Sequence, residues 1–401
     1  MVQQTDKGPA TAPPGPAAPR AGLTLAAIGA GTAAAHIGNN FTTYLVGGLI
    51  DAYGFSASAM GLFAMLETLA YGAAMLGVAR WGGGGGVVGG PRRLALASTV
   101  LVVLAQALSG LGGNLPLLLA GRLVTGFGFG LMNGAVNLAA GQTAHPARAI
   151  SVGIACQTVL FAVVNIVLPE VSAHHGLAAM FAALALLSAV LGLGAMALPG
   201  AARAGHAAMA ARQPMTRAGW RLLFAMGLFA GGSLSIWPFM ERAGHAIGLA
   251  ATTFGRYQSL ATIASALGNA ALAVVITRLP RRALLAGGLV ACAVSCALLT
   301  TASLAWVFAV ALVVFNASWF IAYPMLLGLA YDEAPDGRLA VMMTATWLLA
   351  QSVGALAAGV LADATGSFAG VGLVGFAGCA LALLLTLPMA RSPARPAALA
   401  S

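Results

Sequence analysis

Long apolar runs, each near the length of a membrane-crossing helix, alternate along this chain with short segments that hold nearly all of its charge. A helix crosses the hydrocarbon layer in about 20 residues. On that ruler the first half gives six predicted spans, 23–49, 56–79, 94–112, 116–140, 150–171 and 177–198. The second half gives six more, 219–240, 252–277, 283–301, 304–328, 340–362 and 368–388. Between them lies a polar interruption from Pro199 to Arg221, with Arg203, Arg212, Arg217 and Arg221 and no acid. The pattern predicts an all-α integral membrane protein of twelve transmembrane helices in two six-helix bundles, 23–198 and 219–390. Residues 199–218 are the expected linker, and 1–22 and 391–401 the expected tails.

The basic residues orient this arrangement. With the N-terminus inside, cytoplasmic segments hold all of the 19 Lys and Arg except Arg122, Arg242 and Arg256. The opposite orientation would violate the positive-inside rule in almost every loop. Both termini are therefore expected in the cytoplasm, in a plasma membrane of the bacterial inner-membrane type. Residues 1–20 are rich in Pro and Ala and read as a disordered tail. The apolar run that follows is longer than the core of a signal peptide, so it is expected to be the first span.

Composition supports the same conclusion. The 401 residues are 60% hydrophobic and only 7% charged. A soluble domain carries about 25% charged residues, so lipid must be the solvent. The formal charge of +10 would point to nucleic acid in a soluble protein, but here it sits in loops where orientation signals belong, and no nucleic-acid motif accompanies it. Cys292 and Cys296 share a helix face, without a histidine or further thiol in view along the sequence, and read as small packing residues.

A duplication lies beneath the count. Pro91-Arg92-Arg93 after span two is echoed by Pro280-Arg281-Arg282 after span eight, 189 residues on. Gly54 and Gly61 match Gly248 and Gly255 at an offset of 194, and Pro146-Ala147-Arg148 matches Asp336-Gly337-Arg338 at 190. The order and topological place agree each time, as expected for two pseudo-symmetric halves with a site near the membrane midplane.

With these features the chain resembles the major facilitator superfamily (MFS) of secondary transporters. Gly121-Arg122-Leu123-Val124-Thr125-Gly126 resembles the Arg-x-x-x-Gly signature of that family's fourth helix, and Ala362-Asp363-Ala364-Thr365-Gly366 the end of its eleventh. Two departures stand out. The loop after span two keeps Gly77, Arg92 and Arg93, but lacks the usual acid and carries a glycine-rich insertion at 82–90. Span five lacks the Gly-Pro-x-x-Gly-Gly signature of drug–proton antiporters, which weakens a drug-efflux assignment. The resemblance implies alternating access, with spans one, four, seven and ten lining a cavity.

Ionisable groups at membrane depth cost about 2.5–3.5 kcal/mol on insertion scales and so mark candidate functional sites. Glu67, midway along span two, reads either as a proton-coupling carboxyl or as a structural one bonded within its bundle. The resemblance implies substrate binding or proton relay for Arg122; alternatively it pairs with Glu67 or snorkels outward. Arg256 lies shallower and suits snorkelling. Further substrate-binding candidates are Asn39 and Asn40 in span one, Asn133 and Asn137 in span four, Trp237 in span seven, and Asn316, Trp319 and Tyr323 in span ten. Asn39 and Asn40 cannot both face the cavity, so one is expected to pack against a neighbour. The stripes Gln157–Phe161–Asn165 and Thr344–Trp347–Gln351 suit either cavity lining or interhelical hydrogen bonds. Glu241 and Arg242 read as a solvated or membrane-interface pair.

Aromatic rings, amides and an arginine with few acids point to a small organic anion, aromatic or amphipathic, as substrate, with protons as a coupling partner, the bilayer as surroundings and a monomer as the working unit. No cofactor and no metal are expected. Gly84–Gly89 fits a dinucleotide pattern only formally, since no strand precedes it; there is no phosphate loop for ATP; and His145, His174 and His175 lack partner ligands. The competing readings are a drug or metabolite efflux antiporter and, in another class, a membrane sensor or scaffold that does not transport. No convergent nucleophile, base or metal set marks an enzyme.

Overall fold

The computed structural model describes residues 18–81, 90–200, 215–275, 278–334 and 338–391. Most of each expected tail, residues 82–89 of the glycine-rich insertion and most of the linker, with Arg203 and Arg212, lie outside these; the first helix already begins at Ala18, inside the stretch expected to be a disordered tail. Among the described residues the regular structure is entirely helical. Nine helices among the described residues are long and apolar enough to cross a membrane by length and composition.

The predicted spans map onto these helices with three adjustments. Span one is two helices, α1 (Ala18–Ala35) and α2 (Ile37–Tyr53), broken at His36. Spans two to four are α3 (Ala57–Trp81), α4 (Pro91–Ser109) and α5 (Leu115–Ala140). Spans five and six are one run, α6 (Pro146–Ala195), turned at Gly176, whose φ of 79° and ψ of 178° interrupt the helix. Span seven is α7 (Arg217–Ser233), a 3-10 turn at Trp237–Phe239 and α8 (Met240–His245). Pro238 has no N–H to continue the ladder, so the chain tightens there instead of running straight. Spans eight to twelve are α9 (Ala251–Val275), α10 (Arg281–Thr301), α11 (Ala305–Glu333), α12 (Arg338–Thr365) and α13 (Ala369–Thr386).

The duplication is visible in the backbone. Among the described residues positive φ occurs at four positions, all glycine: Gly54, Gly176, Gly248 and Gly366. They form two pairs. Gly54 and Gly248 precede spans two and eight, and Gly176 and Gly366 precede spans six and twelve. A left-handed turn without a Cβ clash needs glycine. The next matched pair has matched partners too. Gly61 of span two lies against the Ala355 carbonyl of span eleven, and Gly255 of span eight against the Asn165 carbonyl of span five. The two halves therefore meet along two equivalent seams, span two with eleven and span five with eight.

Lipid-facing surfaces show as exposed apolar stripes. Leu96, Val100, Leu104 and Leu108 recur every fourth residue along span three, and Val290, Val294 and Leu298 along span nine. In water such stripes would associate; in lipid they are the solvated face.

Candidate functional site

Glu67 and Arg122 meet in the interior of the first half. Glycines bring their helices together: side chains on Gly126, Gly130 and Gly134 of span four would strike Glu67, Tyr71 and Val78 of span two. That close approach carries Arg122 onto Glu67, and the two form an ion pair with each residue under 5% exposed. Arg122 Nη2 also donates to Thr42 Oγ1 at 2.9 Å, while Thr42 donates its own proton to the Gly38 carbonyl at 2.7 Å. The guanidinium carbon sits 4.4 Å from the centre of the Phe63 ring, a favourable cation–π contact. Arg122 Nε has no hydrogen-bond partner among the described residues. In this conformation Arg122 is thus enclosed rather than presented to an open cavity.

The second half holds an aromatic group in the matching interior. Trp319 stacks on Tyr323 with ring centres 5.0 Å apart, and on Phe229 of span seven at 5.7 Å. Trp347 of span eleven lies 5.5 Å from Trp319 and 5.2 Å from Tyr323. The indole N–H groups of Trp319 and Trp347 are buried without a partner among the described residues. Buried donors are normally satisfied, and these two stand unpaired within one aromatic cluster. The span-eleven stripe therefore contributes Trp347 to this cluster.

The other sequence candidates divide. Asn39 is exposed and joins the halves: its carbonyl accepts from Trp237 Nε1 at 2.6 Å and its Oδ1 from Gln351 Nε2 at 2.8 Å. Asn40 turns back on its own helix to the His36 carbonyl, at 2.8 Å. Asn133 is half-buried and donates to Met75 Sδ, Asn137 is exposed near the end of its helix, and Asn316 is buried on the Leu312 carbonyl. The structure thus brings Trp319 and Tyr323 together with Trp347, and Asn39 with Trp237, but leaves Asn40 and Asn316 on their own helices.

Contacts between the halves gather around the ends of spans one and seven. Arg242 forks onto Asp51 at 2.6 and 2.8 Å and pairs with Glu241 at 2.9 Å. Glu241 is only 2% exposed and Arg242 8%, so the pair expected to be solvated or at the membrane interface is buried within the junction. Span one admits it at Gly47, where any side chain would strike the Glu241 carboxylate, and Thr43 Oγ1 accepts the Glu241 backbone N–H at 3.0 Å. Asp363 of span eleven accepts the N–H groups of Ala57 and Ser58, at 2.9 and 2.8 Å, at the start of span two. These are orphan donors of a helix N-terminus, where a carboxylate is favoured. Arg256 pairs with Glu170 across the five–eight seam instead of standing alone. Beyond that pair, Asn165 accepts from Tyr44 at 3.1 Å and donates to Thr262 at 3.2 Å.

Every acid among the described residues is engaged. Besides Asp51, Glu67, Glu170, Glu241 and Asp363, Asp332 pairs with Arg281 and Glu333 accepts from Thr216.

Sequence comparison matches residues 28–346 to the Major Facilitator Superfamily. The chain belongs to that family. It is accordingly an integral, multi-pass membrane protein of a family of secondary transporters. Among curated proteins none matches it. Solved structures share its fold: the nucleoside transporter NupG has a TM-score of 0.72 at 14% identity, covering 92% of this chain and 100% of that one. A D-xylose–proton symporter gives 0.67 at 14%, covering 90% and 95%. A bacterial homologue of the human lysosomal transporter Spinster, inward-facing and unoccupied, gives 0.64 at 14%, covering 94% of each. At such identities the likeness is one of MFS fold.

Proposed function

We propose that this MFS chain is a proton-coupled transporter of a small organic solute with a planar ring and a hydrogen-bond acceptor, such as an aromatic acid, working by alternating access. The observation that carries the substrate class is the cluster of Trp319, Tyr323, Trp347 and Phe229, with two indole N–H groups unpaired. Stacked faces favour a flat ring. Two unpaired donors favour an acceptor such as a carboxylate, which leaves the pocket satisfied once it is bound. A solute lacking the acceptor leaves both donors unpaired, which is how buried polar groups discriminate. The nucleoside and xylose carriers among the structural neighbours also move small ring-bearing solutes.

The proton step in this reading belongs to Glu67. A neutral pair with Arg122 is tolerated inside the bundle; protonating Glu67 frees the guanidinium, whose Nε lacks a partner already. A freed arginine offers a fork for the substrate's carboxylate. Proton uptake and anion binding are then coupled through one side chain. Residues 23–198 and 219–390 act as the two moving bodies, with 199–218 as their joint. With both termini in the cytoplasm of a bacterial inner-membrane-type membrane, the junction of Asp51, Arg242 and Asp363 falls at the outer face and closes it in this reading.

Uptake of aromatic acids into proteoliposomes, with and without an imposed pH gradient, tests the proposal. The gradient is expected to drive accumulation in the wild type. Glu67→Gln is expected to abolish accumulation while preserving exchange of labelled for unlabelled solute. Full gradient-driven accumulation by that variant would remove the proton role, and absence of any exchange across a panel of aromatic acids would remove the substrate class.

A further inference from the structure

Three thiols converge inside the second half, where sequence spacing had offered only two. Cys292 and Cys296 lie one helical turn apart on span nine, and Cys379 meets them from span twelve. Their Sγ atoms all lie within 4.8 Å of one another, and each residue is 0% exposed. The expectation that no further thiol accompanies Cys292 and Cys296 fails because span twelve brings one from far along the chain. Small residues make that approach possible: a side chain on Gly375 would meet Cys296 Cβ at 2.9 Å, and one on Gly378 would strike the Leu228 carbonyl of span seven and meet Gly232 Cα at 3.2 Å. Hydroxyls complete the surroundings. Ser233 and Ser318 donate their protons to the carbonyls of Phe229 and Phe315, at 2.6 and 3.1 Å.

Sulfur ligands about 2.3 Å from one central ion stand about 4 Å apart when three surround it. The three sulfurs, all within 4.8 Å of one another, lie close enough to be drawn onto one centre. Thiolates select soft centres, and the apolar surroundings decide which, because uncompensated charge is costly to bury. Three thiolates around a monovalent ion leave two negative charges, and around a divalent ion one. Around a trivalent centre the charge is zero. Such a centre is also complete with three sulfurs, whereas zinc takes four ligands in closed sites.

We propose that Cys292, Cys296 and Cys379 form a binding site for a trivalent thiophilic metalloid, of the arsenic(III) or antimony(III) class. For arsenic the exchange balances without an oxidant: As(OH)3 and three thiols give the tris-thiolate and three waters. Three As–O and three S–H bonds break; three As–S and three O–H bonds form. The entering species is neutral, and no charge crosses the apolar interior. Occupation ties span nine to span twelve, outside the seams between the halves.

The test uses the full-length protein purified in detergent, titrated with arsenite after removal of reductant. X-ray absorption at the arsenic edge counts the sulfur neighbours, and thermal unfolding reads occupancy. One arsenic per chain with three sulfur neighbours and a raised unfolding midpoint is expected. Cys379→Ala should weaken retention at least tenfold and leave at most two sulfurs, with Cys379→Ser as the second variant should the alanine protein not fold. Cys156→Ala, at an exposed cysteine elsewhere, should change nothing. Absence of retention by the wild type, retention that depends on Cys156, or three sulfurs persisting in both Cys379 variants would overturn the site. Displacement of bound arsenic by equimolar copper(I) or zinc would overturn the charge argument.

Discussion

The two halves share a backbone plan but not an interior. The first buries an ion pair, Glu67 with Arg122. At the same repeat offsets, 194 and 190, the second half has Ala261 and Leu312, both fully buried and apolar. Conversely, the stacked aromatic group around Trp319 belongs to the second half. A duplicated scaffold has thus been loaded asymmetrically, with charge on one side of the interface and flat donor-bearing rings on the other. Under the proposed function, a solute carrying both a ring and an anionic group would match that division.

The largest effect should come from unbalancing the first half. Arg122→Leu alone leaves the Glu67 carboxyl buried without its partner, and is expected to cost about 3–5 kcal/mol, measured by thermal or denaturant unfolding in detergent. Adding Glu67→Ala converts the pair to its counterparts in the second half and should recover most of that loss, while gradient-driven uptake stays abolished. If the double variant is no more stable than the single one, the pair is not the unit described here.

Enlarging Gly126 to Leu comes next. The side chain would strike the Glu67 backbone and part spans two and four. Overpacking of this kind typically costs about 1–3 kcal/mol, and gradient-driven uptake should fall with the separated pair. In the second half, Trp319→Phe keeps a ring but removes one unpaired donor. Under the proposed function it should weaken binding of an aromatic acid roughly tenfold, the scale of one hydrogen bond to a charged group, with little change in unfolding. Equal weakening for a ring lacking the acceptor would separate packing from hydrogen bonding. Smaller still is Asn40→Ala, which removes a bond only to its own helix and should stay within about 0.5 kcal/mol.

Much of this architecture was legible in the sequence because hydrocarbon thickness sets a fixed ruler and glycine marks the turns. Gly54 and Gly248 were paired by spacing alone, and their backbones prove equivalent. Glu67 and Arg122 stood out because charge is rare in these runs, and their mutual pairing was one alternative left open beside a substrate or relay role and outward snorkelling. Lateral contacts were less legible. In a membrane helix the lipid-facing and protein-facing sides are both apolar, so periodicity does not name the neighbour. Cys379 therefore gave no sign of joining Cys292 and Cys296, nor did Asp51 of joining Arg242. The burial of Glu241 follows from Gly47 on another helix, which no local pattern around Glu241 encodes. The break of span one at His36 was also hidden, since Ala33–Phe41 contains no proline.

The engagement of every described acid bears on which solutes the protein refuses. A cationic solute entering the interior would find the two buried carboxylates, Glu67 and Glu241, each already held by an arginine. To bind, it would have to displace one of those groups and leave it stranded, often within the apolar interior. Under the proposed function, discrimination against cations would then come from partners already occupied among the described residues, without a dedicated filter.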